Sequence, residues 1–355
     1  MGIPAHSALR KKARKLMYAV LGKLFPSRKT EEKIDPAIVK RILIIRINYR
    51  IGNIIFLTPL IKALGKRLPH ASVDVVIGSA YTKNMLSGMP NVGEIFDAPR
   101  KLLKNPFRLF REIKKLNANN YDLIINVSRT SSTNSIVASL LRAPMKLGYY
   151  DENNWLPLTH AVSLDGADPH MALQPLALMS AFSGDDGDYE KFLDINLSEA
   201  EKQQGREDLV KFSEQQHYQR GERHLIGIFR NARNNKIIAD SYWQELVESL
   251  QVLRENLDIV DILVPGQEKL PAAALQISSP DLRVLGGMLS QLDAFICADT
   301  GPMHLASAAR TPTIALFKAT RPARYGTLGE HDLSLEIQNL ACRDVAQGIL
   351  DHLAL

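Results

Sequence analysis

The chain has 355 residues, 45% of them apolar and 23% charged, a composition able to build soluble cores and a length that favours two domains over one. No apolar run approaches the ~18 residues needed to span a membrane. The two cysteines, Cys297 and Cys342, stand far apart in the sequence, which argues against a disulfide framework or a metal-ligand spacing and fits a reducing compartment.

The net charge of +6 is concentrated at one end. Residues 1–29 carry Arg10, Lys11, Lys12, Arg14, Lys15, Lys23, Arg28 and Lys29 with no acid, which leaves 36 basic against 38 acidic residues in the remainder. Within that segment Leu9, Ala13, Leu16, Met17, Val20, Leu21, Leu24 and Phe25 recur at helical spacing, giving one apolar stripe flanked by cations. Residues 1–40 therefore read as a basic amphipathic N-terminal segment. Its residues 9–29 suit an anionic cytoplasmic, inner-membrane surface, where each cation adds about 1 kcal/mol of attraction. A helix packed on the body, or a disordered leader, would carry the same pattern. A cleavable signal fits less well, because the charges are dispersed and no small-residue cleavage site follows. Nucleic acid is not expected as a partner, since no aromatic–basic interleaving occurs elsewhere.

Beyond Pro36 the pattern becomes regular. "RILIIRI" (41–47) predicts a buried strand and "NIIFLTPLIKALGKRLP" (53–69) a helix. Strands follow at 73–78 and 121–127 with a helix between them, then a helix over 133–143 and a short strand over 145–150. Residues 41–182 are thus a first Rossmann-like unit. Residues 183–222 are rich in Asp, Glu and Gln and read as a linker with one helix around 198–216. Residues 223–355 form a second unit. Strands at 224–229 and 258–265 flank a helix at 241–253, and a short helix is expected over 272–278. Strands at 293–298 and 311–317 flank the "PMHLASAAR" helix, and a C-terminal helix closes the chain. Such alternation implies an α/β fold with two parallel sheets facing across a cleft, and a ligand outside the strand carboxyl ends.

The stretch "ICADTGPMHLASAA" (296–309) runs from a buried strand straight into a helix. Free N–H groups at such a helix start carry partial positive charge and suit a phosphate or diphosphate. Gly301 allows close backbone approach, Pro302 fits the first turn, and Asp299 is able to accept from ligand hydroxyls. Asp or Thr also caps helices with no ligand involved, and His304 fits either a ligand contact or a structural role. "FRNARNNK" (229–236) places Asn231, Ala232, Arg233 and Lys236 at another strand exit, and Lys236 suits a diphosphate as a flexible point charge. Charged surface loops look the same. "VPGQE" (264–268) adds Glu268, a carboxylate able to hold a ribose. "RINYRIGN" (46–53) supplies Arg46, Arg50, Gly52 and Asn53. No dinucleotide fingerprint, P-loop, zinc-protease or nucleophile-elbow motif is present, and the scattered histidines point to no metal.

Together these segments resemble glycosyltransferase family 9, the ADP-heptose:lipopolysaccharide heptosyltransferases. The resemblance rests on "DTGPMHLASA" (299–308), "TPTIALFKATRPARYGTLG" (311–329), the opening strand–loop–helix at 42–69 and residues 121–150, and it covers roughly residues 41–330. It implies a GT-B architecture, in which the second domain takes a nucleotide sugar and the first a lipid-linked acceptor. By position, Lys236 looks like the family's diphosphate-binding lysine and Glu268 like its ribose-binding acid. Asn231 and Ala232, with neighbouring Arg233, stand on the donor loop. Asp299, Thr300, Gly301, Pro302, Met303 and His304 match the nucleotide-sugar loop. Arg46, Arg50, Gly52 and Arg129 are the acceptor-side candidates, reading the anions of a glycolipid. The family's opening loop ends in Gly-Asp, the aspartate being taken as general base; here the pair is Gly52-Asn53. An amide cannot accept a proton at neutral pH, and base assistance is worth ~10²–10⁴-fold. The expectation is a metal-independent, cofactor-free inverting transferase with Asn53, Lys236 and Asp299 at its centre, associated peripherally with the inner membrane. The alternatives are a degenerate relative that binds nucleotide sugar or glycolipid without turnover, and a scaffold recruited by its basic tail.

Overall fold

The structure is a computed structural model that describes residues 30–98, 102–150, 158–219 and 221–354, together with Leu16, Val20 and Lys23. The basic segment over 9–29 lies outside the described residues except for those last three, which are helical, with Leu16 and Val20 exposed on successive turns.

Two six-stranded sheets, parallel throughout, organise the chain. The first contains β1 (Arg41–Arg46), β2 (Ser72–Ile77), β3 (Val92–Asp97), β4 (Leu123–Asn126), β5 (Met145–Tyr149) and β6 (His160–Val162), in the order β3-β2-β1-β4-β5-β6. The second contains β7 (His224–Phe229), β8 (Leu257–Ile262), β9 (Leu275–Ile277), β10 (Ala294–Ala298), β11 (Thr313–Phe317) and β12 (Leu333–Glu336), in the order β12-β11-β10-β7-β8-β9. The central strands are apolar on both faces because helices cover both sides of each sheet. Ile42, Leu43, Ile44 and Ile45 of β1 are fully buried, and Ile44 stands in register with Val75 and Ile125. In the second sheet Ile296 of β10 aligns with Ile228 and Ile314. This is the expected GT-B arrangement of two Rossmann-like halves.

Departures from the sequence reading cluster at the sheet edges. The helix expected over 272–278 is instead the strand β9, whose Leu275 and Ile277 are buried while Gln276 lies between them, paired in parallel with β8. An alanine-rich run has helical propensity, but alternate burial against a neighbouring strand overrides it here. Strands β3, β6 and β12, absent from the sequence reading, are likewise outermost. Edge strands bury fewer residues, so their pattern is diluted by polar positions such as Glu94 and Ser334. The helix expected over 53–69 is two helices, Ile51–Ile55 and Thr58–Arg67. Pro59 lies at the start of the second, where its missing N–H breaks the hydrogen-bond ladder at least cost.

The polar stretch 183–222 holds the two halves together. Its helix, Glu199–Gln215, begins with a Ser198–Glu201 capping box and lies on the helix Leu282–Leu289. The two backbones come so close that a β-carbon on Gly205 would sit 2.2 Å from the carbonyl of Gly287. Upstream, Asp194 accepts from Lys62 of the first half at 2.7 Å and from Arg310 of the second at 3.1 Å. Both cations also lie over the ring of Phe192, at 4.6 and 3.8 Å from its centroid. The guanidinium of Arg283, itself buried, pairs with Glu201 at 2.5 and 2.6 Å and donates to the carbonyls of Ile195 and Asn196.

The Arg283 hydrogen bonds hold the Glu201 carboxyl down to about 2, below its ordinary 4.5. A depressed carboxyl stabilises the fold above its unfolded value and loses that contribution as it protonates. The urea midpoint of the wild-type chain is therefore expected to fall between pH 4.5 and about 2 by more than that of Glu201→Gln; equal slopes would mean the pair contributes nothing to folding.

Candidate active site

The site lies where the carboxyl ends of β1, β7 and β10 converge. β10 delivers Asp299 and Thr300 to the start of the helix Gly301–Ala308, with Thr300 at the N-cap and Pro302 in the first turn. β7 ends at Phe229 and leads through a loop to a single turn, Asn234–Lys236. That turn brings the Lys236 ammonium to 2.6 Å from an Asp299 carboxylate oxygen. Thr320, beyond β11, donates its hydroxyl to the same oxygen, and the Tyr325 ring centroid lies 5.8 Å from the ammonium. Asp299 is 6% exposed and engaged on the protein side, so its carboxylate fixes Lys236 rather than lying open to a ligand. The Lys236 side chain keeps 31% of its surface.

The helix start presents polar atoms that the protein does not use. Thr300 makes no side-chain cap bond, and its buried Oγ1 has no partner among the described residues. The buried Nδ1 of His304 is also unpartnered. Buried polar groups left unpaired cost about 1–3 kcal/mol each, so a group that reaches them gains more than a contact to a satisfied surface would give. With the free N–H groups of the first turn and Lys236, they form an electropositive cradle suited to an anion. Burial, followed by the charges of His170 and Lys236, pulls His304 down to about 3, so its imidazole is neutral throughout the physiological range.

The first half meets this cradle directly. Helix Ile51–Ile55 lies against Gly301–Ala308: a β-carbon on Gly52 would come 2.6 Å from His304 Cδ2, and one on Gly301 would come 3.1 Å from Ile51. The next residue after Gly52 is Asn53, whose Oδ1 accepts from Arg46 Nη2 at 2.9 Å. Arg46 also donates to the carbonyls of Asn53 and Val127. Burial pulls its guanidinium below the usual range, opposed by Tyr149, and no carboxylate of the described residues pairs with it. Phe56 packs edge-on against His304, centroids 4.5 Å apart, and against His170 at 5.9 Å. His170 in turn hydrogen-bonds the Gly326 carbonyl at 3.0 Å across the same boundary.

The remaining candidates are more dispersed. Met303 is fully buried in the core, so its side chain faces no cleft. Asn231 and Arg233 are exposed and Ala232 half-buried on the loop before Lys236. Glu268 is exposed, its backbone carbonyl held by Arg230 at 2.6 Å. Arg50 and Arg129 are exposed beyond β1 and β4. Arg230 is not a ligand residue at all: buried, it pairs with the fully buried Asp261 at 2.9 Å and ties the loop after β8 to β7. Sequence reasoning missed Phe56, His170, Thr320 and Tyr325, because their proximity to the cradle exists only in three dimensions; Thr320 and Tyr325 at least fall in the 311–329 stretch. Among the described residues no trio of His, Cys, Asp or Glu is arranged to hold a metal ion. A separate cavity of about 770 Å³, lined by Tyr81, Lys83, Asn84, Glu94 and Asp281, contains none of these residues.

Gly52→Ala is expected to lower stability by about 1–3 kcal/mol, the usual cost of overpacking, because Phe56 leaves the His304 ring little room to yield. Urea unfolding measures it, and a Gly52→Ala/His304→Ala pair should cost less than the sum of the singles. Additive losses would place the strain elsewhere.

Comparisons with known proteins bear on the family and the fold. The model of glycosyltransferase family 9 (heptosyltransferase) matches residues 109–348. A lipopolysaccharide heptosyltransferase 3 from Escherichia coli is 28% identical over 286 residues, 76% of this chain and 81% of the relative. A family 9 glycosyltransferase from Veillonella parvula shares the fold with a TM-score of 0.76 at 20% identity, covering 92% of this chain and 99% of that one. The E. coli heptosyltransferase WaaC, solved with ADP, gives 0.69 at 17% identity, over 88% and 99% of the two chains. The family match over two thirds of the chain, together with the strand order, leads to one conclusion: the chain belongs to glycosyltransferase family 9 and is a glycosyltransferase of the heptosyltransferase type.

Proposed function

We propose that this enzyme moves heptose from ADP-heptose, with inversion at the anomeric carbon, onto the core of lipopolysaccharide or a related glycolipid. The observation that carries the reading is the Lys236 ammonium, 2.6 Å from Asp299 at the mouth of the Gly301–Ala308 helix. The name of the 28% identical relative and the ADP in the WaaC structure support the choice of sugar, acceptor class and nucleotide.

In this reading residues 223–355 bind the donor, residues 41–182 the acceptor, and 183–222 link them. As the sugar departs from the diphosphate, negative charge grows on the leaving oxygens. Lys236 and the N–H groups after Asp299 stabilise it, in place already and so with little reorganisation. Thr300 Oγ1 offers a donor, His304 is a neutral hydrogen-bond partner, and Glu268 with the 231–233 loop holds the nucleoside. These protein groups supply the charge stabilisation without a metal or a cofactor. Arg46, Arg50 and Arg129 read acceptor anions. With Asn53 Oδ1 committed to Arg46, its Nδ2 amine orients the attacking hydroxyl, and the hydroxyl's proton passes to a group other than Asn53. The basic segment 9–29 keeps the enzyme at the cytoplasmic face of the inner membrane.

Transfer from ADP-heptose to a heptose-deficient core glycolipid, followed by mass spectrometry, tests the reading. Lys236→Met should lose about 10²–10³-fold in kcat/KM, the scale of removing one preorganised electrostatic contact; activity within twofold of wild type would refute the role given to Lys236. Asn53→Asp should speed transfer, by up to ~10²-fold if base assistance is what the site lacks. A slower or equal rate would show that the proton already has an adequate acceptor elsewhere.

A further inference from the structure

Helix Pro106–Asn117, between β3 and β4, is secured to the first sheet by one face only. Ile113 and Leu116 are buried, and Leu109 packs partly against them. At helical spacing the opposite face carries Phe107, Phe110, Arg111 and Lys114, with Arg108 and Lys115 at its margin. Phe107 is 87% exposed and Phe110 72%, the former more than any other large apolar side chain among the described residues. The helix holds a single acid, Glu112, set toward the buried flank and 3.5 Å from Arg111. Lys115 reaches Glu94 at 3.4 Å. No carboxylate of the described residues pairs with Arg108 or Lys114, and Lys104 adds a further exposed cation in the preceding turn.

Two phenyl rings held out into water among uncompensated cations are costly on a free surface and favourable at an anionic lipid boundary, where the rings enter the interface and the cations meet headgroups. The presentation is rigid. Asn105 caps the helix by accepting from the Arg108 N–H, and Pro106 fits its first turn. The position is also telling. The start of a helix that follows a parallel strand lies toward that strand's carboxyl edge, and Arg46 ends β1 at the carboxyl edge of the same sheet.

We propose that the Phe107–Lys114 face is a second membrane-docking surface, specific for anionic bilayers and separate from the N-terminal basic segment. Docked there, the first half holds its cleft rim at the headgroup layer, where a lipid-borne acceptor enters without leaving the bilayer.

The test uses the full chain carrying Phe107→Cys labelled with an environment-sensitive fluorophore; Cys297 and Cys342 are buried and stay unlabelled. Vesicles of phosphatidylcholine with phosphatidylglycerol should raise the emission severalfold, vesicles of phosphatidylcholine alone should not, and a label at Val252→Cys, on an exposed face of the second half, should stay silent. Arg108→Gln with Lys114→Gln should weaken binding about 25-fold, at about fivefold per cation. The proposal is overturned if the label at position 107 stays aqueous while vesicles sediment the chain, if neutral and anionic vesicles act alike, or if the charge variant binds as wild type does. A signal that follows protein concentration without vesicles assigns the face to a second copy of the chain and overturns it too. Neither donor nor acceptor is present in the measurement, so these outcomes leave the transferase reading to its own test.

Discussion

The contact between two helix starts, Ile51–Ile55 from the first half and Gly301–Ala308 from the second, is the constraint on which the site depends. It is possible because residue 52 has no side chain and His304 turns its Cδ2 edge into the space that one would fill. That close approach sets the distance between everything the two sheets contribute. Asn53 and Arg46 stand on one side of it, Lys236 and Asp299 on the other. A bulkier neighbour at 52 would separate two groups of residues that have chemistry only when adjacent.

Charge in this crevice is distributed unevenly, and the unevenness has a direction. In the second half Lys236 has a carboxylate of its own, which places it and limits its wandering. In the first half Arg46 is desolvated and bonded to neutral groups alone, an amide oxygen and two carbonyls. A half-buried cation without a counter-charge is stabilised by an anion that approaches it. Asn53, being neutral, therefore leaves the charge of Arg46 uncompensated where a carboxylate at that position would have offset it.

The central strands and the helix at 301–308 were legible because burial on two faces writes itself as continuous apolar sequence, as in Ile42–Ile45 and Ala294–Ala298. The edges were not. β9, β3, β6 and β12 are short or half-exposed, and what makes them strands is a neighbour distant in sequence. The same division holds in the site. Asp299 directly follows one recognisable strand and Lys236 stands on the loop after another, so their neighbourhood followed from topology. His170 and Phe56 lie at ends that no local pattern marks, and their meeting follows from how one half rests on the other. Arg230 falls in sequence beside a loop of candidate ligands, yet its burial against Asp261 makes it a fastener for that loop. Charge in a sequence does not say which way a side chain turns.

Asp194 sits in the passage between the halves and holds one cation from each, Lys62 and Arg310. Burial alone would raise its carboxyl, but the hydrogen bonds from Lys62 and the Asn196 N–H, with the charges of Lys62 and Arg310, outweigh that and keep it below its ordinary value, hence ionised. A shared anchor of this kind ties both halves to one carboxylate. Replacing Asp194 by a neutral side chain would remove both ties at once, and the two cations on Phe192 would then face each other without a counter-charge between them.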